Sequence, residues 1–355
     1  MRKVKFDLDS QEHVFVIAEA GSNWKCGTYE QDLKRAKQLI DVASNAGADA
    51  IKFQMFRANT VYVPNAGNSN YLEKSGIKKS INEIFKRAEM PYEMLQELSD
   101  YCKKRHIELM ITPFSVDDAK IINKYVRIHK IASYEINHIR LIEYLTKTKK
   151  PIIISTGASS YDEIDFVINL LKKNKVEKYY LLQCTARYPA PLESLNLSAI
   201  PQMKNRYNVA VGLSDHSTDP IIGPISAVVL GATIIEKHFT LDKNLSGPDH
   251  KFALTPLELK RMIQSIRDAQ CVQGNGKKRI LDVETELRTF AVRSIQAIRH
   301  IKKGEKFVEG YNIDVLRPGK RSRGAEARFL SHIDGKISRR NIAEGEGIKI
   351  KDCIS

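Results

Sequence analysis

A chain of 355 residues, 42% hydrophobic and 28% charged, is long enough to bury a large core and too ordinary in composition to be disordered or fibrous. The formal net charge of +15 points to anionic partners, yet lysines interleave with acids in stretches such as 170–180, and the chain has no aromatic RNA-binding box, zinc-finger spacing or long basic block, which argues against nucleic acid. Five scattered cysteines without a CxxC pair, a polar N-terminus and no uninterrupted apolar run of about 18 residues argue for a reducing, cytoplasmic setting and against secretion or membrane spanning.

Short β-rich runs alternate with helix-periodic stretches along the chain. A strand at 14–21 leads to a helix at 31–46, and a strand at 50–54 leads through a long connection, 55–90, to a helix at 91–104. Further strands follow at 108–114, 128–134, 151–157, 179–185, 210–216 and 232–239, with helices at 116–125, 161–173, 220–230 and 257–271. Eight strands in such alternation predict an α/β fold, a (β/α)8 TIM barrel over residues 1–275. The 55–90 connection far exceeds the usual two to six residues and reads as a lid over a substrate. After a polar linker at 276–289, residues 290–355 show β-like pieces and turn signals (KKGE, RPGK, AEGEG), with fifteen Lys or Arg against eight Asp or Glu: a small, basic, mainly-β domain.

Most of the strands start apolar and end in groups that ionise or hydrogen-bond, and barrel enzymes carry their chemistry at those C-terminal ends. The seventh and eighth, GLSDHS and IIEKHF, each end in a histidine, so His216 and His238 meet at neighbouring strand ends and can share a divalent metal, completed by water or substrate oxygen. Lys52, Thr112, Lys130, Ser133, Ser155 and Ser214 ring the same mouth with donors suited to phosphate or carboxylate. Lys130 lies inside an apolar run and needs an anionic partner. Gln54, Glu135, Tyr188 and Asp249 are candidate partners for carbohydrate hydroxyls.

In this order the segments IAEAGSN, AGADAIKFQ, ITPF, HKIASYEIN, IIISTGAS, QCTARYPAP, VGLSDHS, IIEKHFT with GPDH, and the tail's AVRSIQA, IKKGE and VLRPG resemble the sialic acid (N-acetylneuraminate or nonulosonate) synthase family over nearly the whole chain. The resemblance implies a barrel followed by an antifreeze-like (SAF) domain. The barrel would condense phosphoenolpyruvate with N-acetylmannosamine or a 6-deoxy-2,4-diacetamidohexose, using Mn2+ or Mg2+. It also implies roles: His216 and His238 for metal; Lys52, Thr112, Lys130, Ser133, Ser155 and Ser214 for phosphoenolpyruvate; Gln54, Glu135, Tyr188 and Asp249 for the sugar. The chemistry of that condensation adds that Lys52, with Lys130, would steady the anionic substrate, and that Glu236 or a metal-bound water would assist the addition of water. Arg317 would be lent to a partner's site in a domain-swapped homodimer. Trp24 and Ala186 depart from the family pattern, which commonly has His and Asn there, and direct attention to acceptor choice. Other readings are a metal aldolase or another phosphoenolpyruvate-condensing barrel, and a polysaccharide- or nucleic-acid-binding protein acting through the basic tail.

Overall fold

A computed structural model describes residues 8–10, 12–68 and 79–354. It contains eight barrel strands: β1 (Phe15–Gly21), β2 (Ala50–Met55), β3 (Glu108–Pro113), β4 (His129–Ile131), β5 (Ile152–Ser155), β6 (Tyr179–Cys184), β7 (Val211–Asp215) and β8 (Ile234–His238). Each leads to a helix: α1 (Tyr29–Ala46), α2 (Met94–Lys104), α3 (Val116–Ile122), α4 (Ile139–Lys147), α5 (Tyr161–Lys173), α6 (Ala199–Tyr207), α7 (Ile222–Val229) and α8 (Pro256–Gln273). Local chemistry starts these helices cleanly: Thr28 with Gln31, Ser160 with Glu163 and Thr255 with Glu258 form capping boxes for α1, α5 and α8. The strands are parallel, in the order β3-β2-β1-β8-β7-β6-β5-β4, and β3 lies next to β4, so the sheet is a nearly closed barrel.

A period of two sorts each strand. Val16, Ala18, Ile51, Phe53, Ile111, Ile154, Leu213 and Ile235 face the helices in the main core. Phe15, Ile17, Ala50, Met110, Ile153, Leu182 and Ile234 fill the barrel floor, joined by Leu8. Continuing the same inward rows toward the C-terminal ends brings Glu19, Lys52, Thr112, Lys130, Ser155, Ser214 and Glu236 to one level, all buried. Glycine is required at 212, because a Cβ there would stand 2.2 Å from the Ile234 carbonyl oxygen across the β7–β8 pair.

Some sequence expectations shift. The strand at 128–134 is shorter, because residues Ser133–Glu135 turn into a 3-10 helix that swings Glu135 past the strand end. The 55–90 connection holds helical segments at Ala58–Val61 and Ile81–Arg87, while residues 69–78 lie outside the described residues. Its neck is fastened: Arg57 stacks on Tyr92 at 3.9 Å and donates to the Met90 carbonyl oxygen at 2.9 Å, and the Ala58 amide donates to Glu89 at 2.9 Å. Trp24, expected to bear on acceptor choice, is only 1% exposed and packs in the core shared by the strands and helices. An apolar ring at that position gains more from burial than from facing the mouth.

The chain divides into two compact units, Met1–Gly274 and Asn275–Ser355. Of the residues assigned to a linker, 276–289, some form a 3-10 turn (Asp282–Glu284) and the start of helix α9 (Thr285–Ala291). In the second unit β9 (Ser294–Ala297) pairs antiparallel with β10 (Ile313–Leu316), and β11 (Ile337–Ser338) with β12 (Cys353–Ile354), around Ile295, Ile301, Phe307, Ile313, Ile333, Ile342 and Ile348. All five cysteines are free thiols, and no helix among the described residues is long and apolar enough to cross a membrane.

Candidate active site

Two buried lysines approach one carboxylate at the centre of the barrel. Lys52 Nζ and Lys130 Nζ each lie 3.7 Å from Glu236 Oε1. Lys52 also pairs with Glu19 at 2.7 Å and donates to Thr112 Oγ1 at 2.9 Å. Lys130 donates to Ser155 Oγ at 2.6 Å and to the Ile131 carbonyl oxygen at 3.2 Å, and Ser214 Oγ donates to Glu236 at 3.4 Å. The strand-end positions therefore converge as one network.

Burial works against charge in each of these groups, and its neighbours decide the outcome. For Lys52, burial is outweighed by Glu19 and Glu236, which hold the ammonium above the usual lysine range. For Lys130 burial wins over Glu236 and the pKa falls. Burial also pushes Glu19 up despite Lys52, whereas for Glu236 the two lysines overcome burial and keep the carboxylate ionised. The well thus holds two cations against one firmly ionised carboxylate and a second whose ionisation burial opposes. An anion entering it would relieve the lysines.

Above this layer His216 and His238 stand with ring centroids 5.6 Å apart. His216 Nδ1 donates to the Thr185 carbonyl oxygen at 2.8 Å, which fixes the tautomer and leaves Nε2 as the basic nitrogen. His238 Nδ1 is buried without a hydrogen-bond partner, and burial drives the ring's pKa well below its usual value, so the imidazole is neutral. Burial opposes charge on His216, but Cys184 and the Thr185 carbonyl oxygen raise its pKa, so a divalent ion would compete with a proton there; with that proton lost, the two imidazoles fit such an ion. Among the described residues no group of three or more His, Cys, Asp or Glu forms a ready metal cage, so the pair would rely on water and substrate oxygen for the remaining ligands. Tyr188 stacks at a tilt on His216 at 4.1 Å, and Phe252 meets His238 edge-on at 5.1 Å, enclosing the pair with aromatic rings.

Asp249 reaches back over the mouth, accepting from Ser22 Oγ at 3.1 Å, and burial raises its pKa. Gln54 donates to Glu19 Oε1 at 3.0 Å. Ser133 Oγ accepts from the Gly157 amide at 3.0 Å, beside Cys184 and Ala186. Glu135 stands on the turn after β4, away from the lysine network, and burial pushes its carboxyl up to about 7. Arg187 is exposed, and Arg317 is exposed one residue past the end of β10 in the second unit.

Two residues of this site were not among the sequence candidates. Glu19 binds both Lys52 and Gln54, and its signal was available: a carboxylate on the inward row of an apolar strand. Phe252 had none, since an aromatic three residues beyond Asp249 reads equally well as loop packing.

Residues 39–278 match the NeuB family, and residues 292–352 match the SAF domain. Spore coat polysaccharide biosynthesis protein SpsE of Bacillus subtilis (strain 168) is 39% identical over 96% of this chain and 94% of its own. Its crystal structure superposes with a TM-score of 0.64 at 36% identity, covering 97% of this chain and 96% of that one. Two relatives from Campylobacter jejuni subsp. jejuni serotype O:2 are similar to the chain over nearly their full lengths. The N,N'-diacetyllegionaminic acid synthase is 38% identical over 94% of this chain and 98% of its own, and the pseudaminic acid synthase is 35% identical over 98% of both. By the match of its barrel and by these relatives, the chain belongs to the NeuB family of nonulosonate synthases, with a SAF domain following the barrel.

Proposed function

We propose that the chain condenses phosphoenolpyruvate with an open-chain N-acylated hexosamine and water, releasing inorganic phosphate and a nine-carbon sialic acid-type sugar. The observation that carries this reading is the pair of buried lysines, Lys52 and Lys130, at equal distance from Glu236 beneath the two histidines. Two buried ammonium groups with hydroxyl neighbours suit a small polyanion. The relatives named for diacetyllegionaminic and pseudaminic acid favour a 6-deoxy-2,4-diacetamidohexose over N-acetylmannosamine as acceptor.

In the reaction, C3 of phosphoenolpyruvate attacks the acceptor's aldehyde carbon, water adds to the cationic C2 that results, and phosphate departs by C–O cleavage. Lys52 and Lys130, with Thr112, Ser155 and Ser214, hold the anion and balance its changing charge. Glu236, kept ionised by the lysines, takes the proton of the adding water. A divalent ion on His216 and His238 would polarise the acceptor's carbonyl oxygen. Imidazole nitrogens suit Mn2+ better than Mg2+, so Mn2+ is expected to support more turnover.

A phosphate-release screen of both acceptors with phosphoenolpyruvate, with Mn2+, Mg2+ or EDTA, tests the reading. Release with one acceptor and metal, stopped by EDTA, supports it. Release with neither acceptor sinks it, and carbon–carbon bond formation from pyruvate would favour the aldolase instead.

Glu135 supplies a pH signature. With its carboxyl near 7 it is protonated below that pH and ionised above, so a role as acceptor for a sugar hydroxyl makes kcat/KM for the acceptor rise with pH through about 7. Glu135→Gln is expected to flatten the rise and lower the upper plateau about tenfold. An unchanged profile in that variant would remove Glu135 from the sugar side.

The proposal includes a domain-swapped homodimer in which Arg317 completes the site of a second copy. Arg317→Ala mixed with an inactive Lys52→Met chain is expected to regain activity through heterodimers. A mixture no more active than its parts would reject the exchange.

A further inference from the structure

The outward faces of β7 and β8 carry a second constellation, one residue away from each histidine. Asp215 and Lys237 are each 1% exposed and oppose each other in the final rung of the β7–β8 pairing. His216 follows that rung and has none of its own on this side. Lys237 Nζ donates to Asp215 Oδ2 at 2.5 Å, to the Ser217 carbonyl oxygen at 2.7 Å and to Ser217 Oγ at 3.1 Å, using all three ammonium protons. Asp215 closes the ring by accepting from the Ser217 amide at 2.8 Å. A single side chain of β8 therefore grips both chain neighbours of His216. On the other side of β7, in the loop after β6, the Thr185 carbonyl oxygen accepts from His216 Nδ1 and the Ala190 amide donates to the His216 carbonyl oxygen at 3.0 Å. α7 covers the cluster so closely that a Cβ on Gly223 would stand 2.8 Å from Asp215 Oδ2.

Burying an ion pair here is poor stability design, since apolar side chains of similar volume commonly do as well or better. What an apolar pair lacks is direction: it would fill the space without holding residues 215 and 217 at set angles. We propose that Asp215, Lys237 and Ser217 are positioning residues, which hold His216 at the distance and orientation to His238 that a shared divalent ion requires. The inference rests on the reading of the two histidines as a metal pair.

Its test is a direct titration of the metal-stripped full chain with Mn2+, following free Mn2+ by electron paramagnetic resonance without substrates, beside calorimetry of each variant. Asp215→Asn with Lys237→Met removes both charges while respecting the tight space under Gly223. It is expected to melt within about 5 °C of the parent and to bind Mn2+ at least about tenfold more weakly, the range typical of groups that orient a ligand. Turnover should return in part as Mn2+ is raised. Ser217→Ala, which leaves the ion pair in place, should weaken Mn2+ by about tenfold, the low end of that range, and it decides the matter if the double variant does not fold. Parent-like Mn2+ affinity in the folded double variant, or in Ser217→Ala where only that folds, overturns the positioning role. The parent and His216→Ala separate this outcome from failure of the metal reading. If the parent takes up no Mn2+, or His216→Ala binds as the parent does, the metal pair itself is wrong and the inference falls with it.

Discussion

Lys130→Met is expected to lower kcat/KM for phosphoenolpyruvate by roughly 10²- to 10³-fold, about the loss seen when one aligned donor to a developing charge is removed, with the melting temperature at or above the parent's. The two halves of that expectation have separate causes. Lys130 is buried, and burial outweighs Glu236 in setting its pKa, so carrying a charge there is unfavourable for the folded chain. Glu236 would not be orphaned by the change, because Lys52 stays 3.7 Å away and Ser214 still donates to it. The losses are confined to Ser155 Oγ and the Ile131 carbonyl oxygen, each giving up a donor. A methionine of similar length then fills the space without a buried charge. With phosphoenolpyruvate bound the balance reverses, since the anion needs both cations. Phosphate release across a phosphoenolpyruvate series, paired with calorimetry, reads both quantities. A drop of more than about 5 °C with parent-like kcat/KM would make Lys130 a structural residue and remove the main support for the anion site.

That arrangement was largely legible in the sequence because a barrel strand is a ruler. Once eight runs are placed, the period of two assigns Lys52, Lys130, Ser155, Ser214 and Glu236 to the interior without further information. The same rule also places Glu19 inward, between Ala18 and Ala20, although a carboxylate near the end of an apolar strand stands out less than a lysine inside IHKIASY. Loop positions follow no such ruler. Trp24, just past β1, turns into the core because its ring finds apolar neighbours there, a matter of tertiary packing that no local pattern encodes. Glu135 leaves its strand because the chain tightens into a 3-10 turn at Ser133, and that separates it from the lysine layer it follows in sequence. The Asp215–Lys237 cluster was spelled out in GLSDHS and IIEKHF, yet its grip on Ser217 depends on how the chain bends after β7.

Gly21→Ala is expected to lower kcat/KM for the sugar acceptor about a hundredfold, a loss proportionate to displacing one charged contact, with KM for phosphoenolpyruvate little changed. Gly21 closes β1 at φ +51, where the register with β2 slips between Glu19 and Gly21. An alanine there costs about 1–2 kcal/mol in backbone strain. Its Cβ would also stand 2.7 Å from Asp249 Oδ2 and 3.5 Å from both Glu19 Oε1 and His238 Cε1. Asp249 has the least freedom to yield, because its carboxylate is buried and fastened to Ser22, so the new methyl must push it off that anchor. Gly47→Ala provides the control. Gly47 ends α1 at φ +89, and a Cβ there would meet only Ile263 Cγ2, at 3.7 Å. Both variants carry the left-handed penalty, but only Gly21→Ala intrudes among the groups assigned to acceptor and metal. Similar losses of stability with acceptor turnover damaged in Gly21→Ala alone would tie the convergence of Glu19, Asp249 and His238 to the reaction. Equal turnover in the two variants would mean that Asp249 serves only to fasten the chain after β1.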